Sequence, residues 1–375
     1  MALYLGLMSG TSMDGIDAAL LEIDDDGMRL VSAVCRDWPD SLQRRLRNLA
    51  EDYQHIGLVE LGQLDTRAAN EFALAAEQLL RASDVLPGAV RAVGSHGQTV
   101  LHQPRGEAPF TLQIGDPNII AERLGIDVVA DFRRRDLAAG GEGAPLMPAF
   151  HAAAFGLPGE RSAVVNIGGI ANVTLLGAAG EVSGFDTGPG NCLLDSWARR
   201  HLRHAYDANG AWAASGLVEA ELLGRLLSEP YFSRAAPKST GRETFSDAWL
   251  ERSLHDLALS PVNVQATLSE LTALTIADSL QAGTGTDPKR VLVCGGGAFN
   301  ADLMARLARV LPNAQVDTTA AAGIAPEHVE AAGFAWLAHR YVAGLPGNLP
   351  SVTGASHPVP LGALYRGTLP PRALV

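Results

Sequence analysis

At 375 residues, with 47% hydrophobic and 19% charged residues and a mean hydropathy near zero, the chain has the composition of a folded two-domain protein, not a disordered or fibrous one. A formal net charge of −12 excludes nucleic acid as an expected partner, because a polyanion would be repelled over the surface as a whole. The basic set of 29 contains just two lysines, Lys238 and Lys289, and neither lies in a G-x-x-x-x-G-K-[ST] run, which excludes a P-loop.

In chain order, the apolar start at 2–8 lacks a basic region and runs into a glycine turn, so it reads as a first strand, not a signal peptide. A second strand, a turn at Asp24-Asp-Asp-Gly27 and a third strand from Leu30 to Val34 complete antiparallel hairpins. Phe72, Leu74, Ala75, Leu79 and Leu80 recur at helical spacing and predict a helix over 68–81. Strands follow at 90–94 and 125–131, then an arginine-rich loop, Arg133-Arg-Arg-Asp136, and a glycine-rich stretch at 140–143.

The pattern then restarts. Strands are expected at 163–167, at 172–176 and ending at Gly184-Phe185, with a turn at Gly168-Gly-Ile-Ala171. Two related halves, divided as 1–160 and 161–375, are therefore expected. Thr267-Leu-Ser-Glu270 has the form of a capping box opening a helix to about 282, and 290–294 reads as a buried strand. Pro346, Pro350, Pro358 and Pro360 predict an irregular tail. Cys35, Cys192 and Cys294 lie far apart in apolar stretches and read as reduced core residues, as in a cytosol. No apolar run reaches the roughly 20 residues needed to span a bilayer.

Three loops share one composition: small, hydroxylic or acidic residues directly after an apolar strand. They are 8–17, 184–191 and 294–300. Glycine lets amide N–H groups approach a phosphate without an intervening Cβ. Aspartates in such loops can hold Mg²⁺ through water, and Asp14, Asp17 and Asp186 are the candidates.

The runs Gly6-Leu-Met-Ser-Gly-Thr-Ser-Met-Asp-Gly-Ile-Asp17, Gly94-Ser-His-Gly-Gln-Thr99, Gln113-Ile-Gly-Asp116, Ala130-Asp-Phe-Arg133, Asn166-Ile-Gly-Gly-Ile-Ala-Asn172 and Phe185-Asp-Thr-Gly-Pro-Gly-Asn191 resemble the anhydro-N-acetylmuramic acid kinase family. The resemblance extends from residue 6 to about 340. It implies an α/β fold of two ribonuclease-H-like domains of the actin and hexokinase type, with mixed sheets and an interdomain ATP cleft. It also implies a cytoplasmic enzyme that uses ATP and Mg²⁺ to phosphorylate 1,6-anhydro-N-acetylmuramic acid while opening its anhydro ring, and a homodimer is expected.

Carried over by position, Gly10, Thr11, Ser12, Met13, Asp14, Gly15, Ile16 and Asp17 look like a first phosphate loop, with Asp14 and Asp17 reaching the metal through water. Gly188, Gly190, Asn191, Gly295, Gly296, Gly297 and Asn300 look like further nucleotide-binding positions. Asp186 matches the family's catalytic aspartate, which activates water against the anomeric carbon, and Glu330 looks like a second acid. Arg133 can pair with the lactyl carboxylate in fork geometry, and His96 and Thr99 are expected to line the same pocket.

Plainer readings stand beside these. Asp186 can serve its own turn by accepting from the Gly188 or Gly190 amides, and Glu330 can be a first-turn residue favoured by the helix dipole. Of Arg133, Arg134 and Arg135, at least one is expected in solvent, while Lys238 fits either a loop or a substrate contact. His96 with His102 forms no zinc pattern, and His201 and His204 are expected to decorate a helix face. Rival functions are an anhydrosugar hydrolase working without nucleotide and a nucleotide switch of the actin type. Three phosphate-type loops oppose the first, and the lack of a peptide-binding extension opposes the second.

Overall fold

The computed structural model describes residues 1–24, 27–284 and 288–368. It divides into two compact units, Met1–Ala154 with His328–Val375, and Phe155–Glu327. The strands of the first unit are β1 (Ala2–Ser9), β2 (Ile16–Asp24), β3 (Gly27–Arg36), β4 (Val90–Gln103), β5 (Phe110–Ile114), β6 (Val128–Ala130) and, much later in the chain, β12 (Ala363–Tyr365). Those of the second are β7 (Ser162–Ile167), β8 (Ile170–Leu176), β9 (Val182–Pro189), β10 (Arg290–Cys294) and β11 (Gln315–Thr318).

The two sheets repeat one topology. In the first the order is β12-β6-β4-β1-β2-β3, with β5 paired to β4; β1, β2 and β3 are antiparallel neighbours, and β4 and β6 continue parallel to β1. The second runs β11-β10-β7-β8-β9 with the same directions: antiparallel through β7, β8 and β9, parallel through β7, β10 and β11. A hairpin of three strands extended by parallel crossover strands is the ribonuclease-H-like arrangement, and both sheets have it.

β1 has buried side chains on both faces, which is why it reads as nearly continuous apolar sequence. On one face Leu5 and Leu7 pack with Ile16, Leu20 and the helix Leu58–Ala82 through Leu64, Phe72 and Leu79. On the other face the helix Val329–Val342 comes so close that a Cβ at Gly6 would lie 1.8 Å from the Ala331 carbonyl oxygen, and one at Gly94 2.0 Å from that of Phe334. Gly6 and Gly94 are register partners on β1 and β4, so the helix lies in a groove that only glycines leave open. In the second unit Ala163, Val165, Val291 and Val293 pack with Ile276 and Leu280 of the helix Pro261–Thr284 and with Leu303 and Leu307 of the helix Ala301–Val310.

Several expectations need correction. The chain does not divide at 160/161, because the tail returns to the first unit: Val329–Val342 covers β1 and β4, and β12 joins β6. The proline-bearing tail is therefore partly regular structure. The arginine run 133–136 is not a loop but part of the helix Phe132–Ala138. Thr267 is no cap; the helix starts at Pro261, and Thr267 is buried with its hydroxyl donating to the Asn263 carbonyl at 2.7 Å. Glu270 instead pairs with Arg306 and Arg309. Of the cysteines, Cys294 is buried, Cys192 is half-buried and Cys35 is exposed. The turn expected at Asp24-Asp-Asp-Gly27 includes residues 25 and 26, which lie outside the described residues.

The glycine groove gives a direct test. Gly6→Ala should destabilise the protein by at least about 3 kcal/mol, since backbone and not a movable side chain meets the new methyl. Gly224→Ala, at an exposed position of the helix Ala220–Leu227 with nothing within 4 Å, should be neutral or stabilising by up to about 1 kcal/mol. Urea unfolding midpoints of the two variants check the contrast.

Candidate active-site residues in each unit

In the first unit the candidate groups lie in the turn after β1, on β2 and β4, and on the helices Phe132–Ala138 and Val329–Val342. After β1 the chain turns through Gly10–Gly15. Met13 takes positive φ (55°), its side chain is 2% exposed, and its amide donates to the Gly10 carbonyl at 3.1 Å. Side chains from elsewhere hold the turn. Gln98 donates to the Gly10 carbonyl at 3.2 Å, Gln43 to that of Met13 at 2.8 Å, and the Ser9 hydroxyl to that of Gly15 at 2.8 Å. Trp38 Nε1 in turn donates to Ser9 Oγ at 3.1 Å.

Among the expected ligand residues of this loop, Met13 and Ile16 therefore have core side chains and can offer only backbone. Thr11, Ser12 and Asp14 face solvent. Asp14 is 3.6 Å from Arg47, both being surface groups. Asp17 lies on β2, half-buried.

His96 lies within β4, Arg133 in the helix that follows β6, and Glu330 on the helix Val329–Val342. Arg133 Nε donates to His96 Nε2 at 2.9 Å, and its Nη1 donates to the Gly143 carbonyl at 2.8 Å. His96 is buried, and desolvation together with the Arg133 charge depresses its pKa well below the ordinary histidine value. It is thus a neutral acceptor, packed on Phe334 with ring centroids 4.7 Å apart.

Glu330, in the first turn of its helix, keeps some solvent access, yet protein atoms crowd its carboxyl and desolvation raises its pKa. Arg133 opposes the rise and Asp17 adds to it. So Glu330, Arg133, His96 and Asp17 form one electrostatic group. Thr99 is on β4, half-buried, and accepts from Gln113 Nε2 at 3.2 Å. Arg134 and Arg135 are exposed, which singles out Arg133 from the run. A cavity of about 390 Å³ in this unit is lined by His96, Gln113, Asp131 and Arg134 among others.

In the second unit Asp186 lies on β9 with its amide donating to the Lys238 carbonyl at 3.1 Å. Its Oδ2 accepts from the Thr240 amide at 3.0 Å, and its backbone carbonyl accepts from the Tyr231 hydroxyl at 2.7 Å. The reading in which Asp186 caps its own turn is not what the structure shows, since Thr240 and not Gly188 or Gly190 supplies the amide. Burial raises the Asp186 pKa to about 6, against the opposing Thr240 hydrogen bond. A carboxylate poised near neutrality is matched to general-base work.

Beside it, two glycine turns interlock. The Gly190 and Asn191 amides donate to the carbonyls of Gly169 and Gly168 at 2.9 and 2.8 Å. A Cβ at Gly190 would sit 2.3 Å from the Gly168 carbonyl oxygen. Asn191 Nδ2 donates to the Ile167 carbonyl at 3.1 Å. Gly295, at φ 76°, follows β10 and fits against Asn166, while Gly297 fits against Ile167; Gly296 meets nothing closer than 3.6 Å, at Asn191. Asn300 spends its Oδ1 capping the helix Ala301–Val310 through the Leu303 amide. Lys238 lines a cavity of about 610 Å³ with Phe185, Phe232 and Asp278, and donates to the Phe232 carbonyl at 3.1 Å.

Sequence reasoning missed Thr240, Tyr231, Gln98 and Asp136 as supports of the site. Thr240, Tyr231 and Gln98 are distant in sequence from the groups they hold, and Asn348 and Thr353, the partners of the buried Asp136, are more distant still. Among the described residues no cluster of three or more His, Cys, Asp or Glu side chains could hold a metal unaided. Asp14 and Asp17 suit Mg²⁺, which takes most of its ligands from water and phosphate and needs only one or two carboxylates. Among the described residues no helix is long and apolar enough to cross a membrane.

The raised Asp186 pKa has a consequence for stability. The fold favours the neutral acid, so wild-type stability falls as pH rises from about 4, the unfolded value, through about 6. Asp186→Asn, which cannot ionise, should therefore raise Tm at pH 8 and lose that advantage near pH 4. Equal Tm differences at both pH values would show that the carboxyl is not desolvated.

A family model described as "Anhydro-N-acetylmuramic acid kinase" matches residues 2–367. The chain is 52% identical over 366 residues to the protein of that name from Xanthomonas campestris pv. campestris (strain 8004), covering 97% of each chain. It is 50% identical to that of Shewanella pealeana, covering 96% of this chain and 98% of the relative. Among solved structures, it has a TM-score of 0.42 and 16% identity to a ROK family glucokinase from Streptomyces griseus in complex with glucose and AMPPNP, covering 90% and 100% of the two chains. That likeness is too distant to carry an argument.

Proposed function

We propose residue roles for this chain, which belongs to the anhydro-N-acetylmuramic acid kinase family: Asp186 activates water and Arg133 binds the sugar's carboxylate. The substrate is 1,6-anhydro-N-acetylmuramic acid, phosphorylated at O6 as its anhydro ring opens, with ATP as phosphoryl donor. The observation that carries the reading is Asp186, a half-buried carboxylate poised near neutrality among glycine turns. The nucleotide-independent hydrolase is not favoured by the family match.

Asp186 takes one proton from a water whose oxygen forms a bond to C1, while the C1–O6 bond breaks and its electron pair stays on O6. That oxygen attacks the γ-phosphorus, the β,γ-bridging bond breaks, and ADP leaves. No base is needed for the sugar hydroxyl, because ring opening itself creates the nucleophile. One water, one ATP and one anhydrosugar give one sugar 6-phosphate, one ADP and one proton.

The remaining groups position the partners. Thr11 and Ser12 hydroxyls and the Gly10 and Gly15 amides suit phosphate oxygens, as do the amides of Gly296 and Gly297, whereas those of Gly190, Asn191 and Gly295 are already spent on the carbonyls of Gly169, Gly168 and Pro326. Asp14 and Asp17 would hold Mg²⁺ through water, and the ion, when bound, neutralises charge between the β- and γ-phosphates. Arg133 binds the lactyl carboxylate, with neutral His96 fixing its Nε. Glu330, charge-coupled to Arg133, orients the sugar. The enzyme works in the cytoplasm.

Incubation with the anhydrosugar and Mg-ATP should give ADP and ring-opened 6-phosphate in equal amounts, with no ring opening when ATP is withheld. Full-rate ring opening without ATP would overturn the assignment. Asp186→Asn should lower kcat by roughly 10²-fold or more, and Glu330→Gln by less. For the wild type, kcat/KM should fall about tenfold per pH unit below about pH 6, as Asp186 becomes protonated.

A further inference from the structure

Arg133 does not stand alone. Three residues further along the same short helix, Asp136 is fully buried, yet among the described residues no lysine or arginine is hydrogen-bonded to it. Three donors from separate segments converge on its carboxylate. The Gly143 amide donates to Oδ2 at 2.8 Å, and Asn348 Nδ2 and the Thr353 hydroxyl donate to Oδ1 at 2.8 and 2.9 Å. Asn348 and Thr353 are themselves buried, and Asn348 Oδ1 accepts from the Val359 amide at 2.8 Å.

Gly143 ties this network to the site. Its amide is held by Asp136 while its carbonyl accepts from Arg133 Nη1 at 2.8 Å. The residue takes positive φ (71°), and a Cβ there would lie 2.3 Å from Leu137 Cδ1, so it has little room to shift. Arg133 Nε is spent on His96. The guanidinium is thus fixed along two of its edges, and among the described residues its Nη2 has no hydrogen-bond partner.

We propose that Asp136 is a positioning residue for substrate recognition: through Gly143 it locks the Arg133 guanidinium in the orientation that receives the lactyl carboxylate. The inference rests on the reading of Arg133 as that carboxylate's partner. A mobile arginine loses part of its binding in the entropy of being ordered, whereas one held at two edges offers a fork already aimed. The buried negative charge of Asp136 also helps keep the guanidinium charged against the desolvation that lowers its pKa. The C-terminal segment thereby becomes part of the specificity apparatus, since it supplies two of the three donors.

The test compares dissociation constants, by calorimetry, for 1,6-anhydro-N-acetylmuramic acid and for its lactamide, in which a neutral amide replaces the carboxylate. Wild type should prefer the acid by about tenfold or more, the range of a charge-assisted hydrogen bond. Asp136→Asn and Thr353→Val should narrow that gap at least about threefold while leaving lactamide affinity within about twofold. A structural role alone would lower Tm or weaken both ligands equally. Thr353→Val, which keeps the side-chain shape, decides the matter if Asp136→Asn does not fold. Folded variants that retain the full gap, while Arg133→Met abolishes it, overturn the role of Asp136. A gap that survives Arg133→Met overturns the underlying assignment of Arg133, and this proposal with it.

Discussion

The first unit depends on two backbones meeting with nothing between them. β1 and β4 present Gly6 and Gly94 to the helix Val329–Val342, and the carbonyls of Ala331 and Phe334 occupy the space where side chains would otherwise stand. That contact draws the end of the chain back across the first sheet. It places Glu330, in the helix's first turn, within electrostatic reach of Arg133 and Asp17, and sets Phe334 against the His96 ring. A methyl group at either glycine would displace the helix that carries an acid of the site.

Both sheets then solve the same problem in the same way. Strands buried on both faces can expose polar groups only where they end, and the candidate phosphate loops follow β1, β9 and β10. In the second unit this brings the Gly168–Gly169 and Gly190–Asn191 turns into backbone contact, a packing that admits no Cβ at Gly190. Asp186 sits one short step before that junction, deep enough to lose solvation and still held by one amide. Its pKa follows from this placement, with desolvation winning over a single hydrogen bond.

The strands and glycine loops were legible because local composition encodes them: β10 was read at its observed limits, and the repeated hairpin was visible in both halves. The helix around Phe72 was recognised but cut short by ten residues at its start, since Leu58 and Val59 are exposed and break the periodic pattern. What the sequence could not show were relations across long separations. The return of the tail to the first unit, the Thr240 amide on Asp186 and the Asp136 network join residues tens to hundreds of positions apart. The Thr267 signal misled because a buried hydroxyl bonding back to Asn263 looks, in sequence, like a cap. Likewise Met13 and Ile16 belong to a ligand-like run, but their side chains belong to the core.

The central claim is that Asp186 directs water at the anomeric carbon in a single displacement, with O6 as the leaving oxygen. In the substrate that oxygen occupies the β face of C1, so attack from the opposite side must first yield the α anomer of the 6-phosphate. Proton NMR of the product, recorded before mutarotation equilibrates it, tests this most directly. The α anomer should appear first, whereas initial formation of the β anomer would contradict direct attack by an Asp186-activated water.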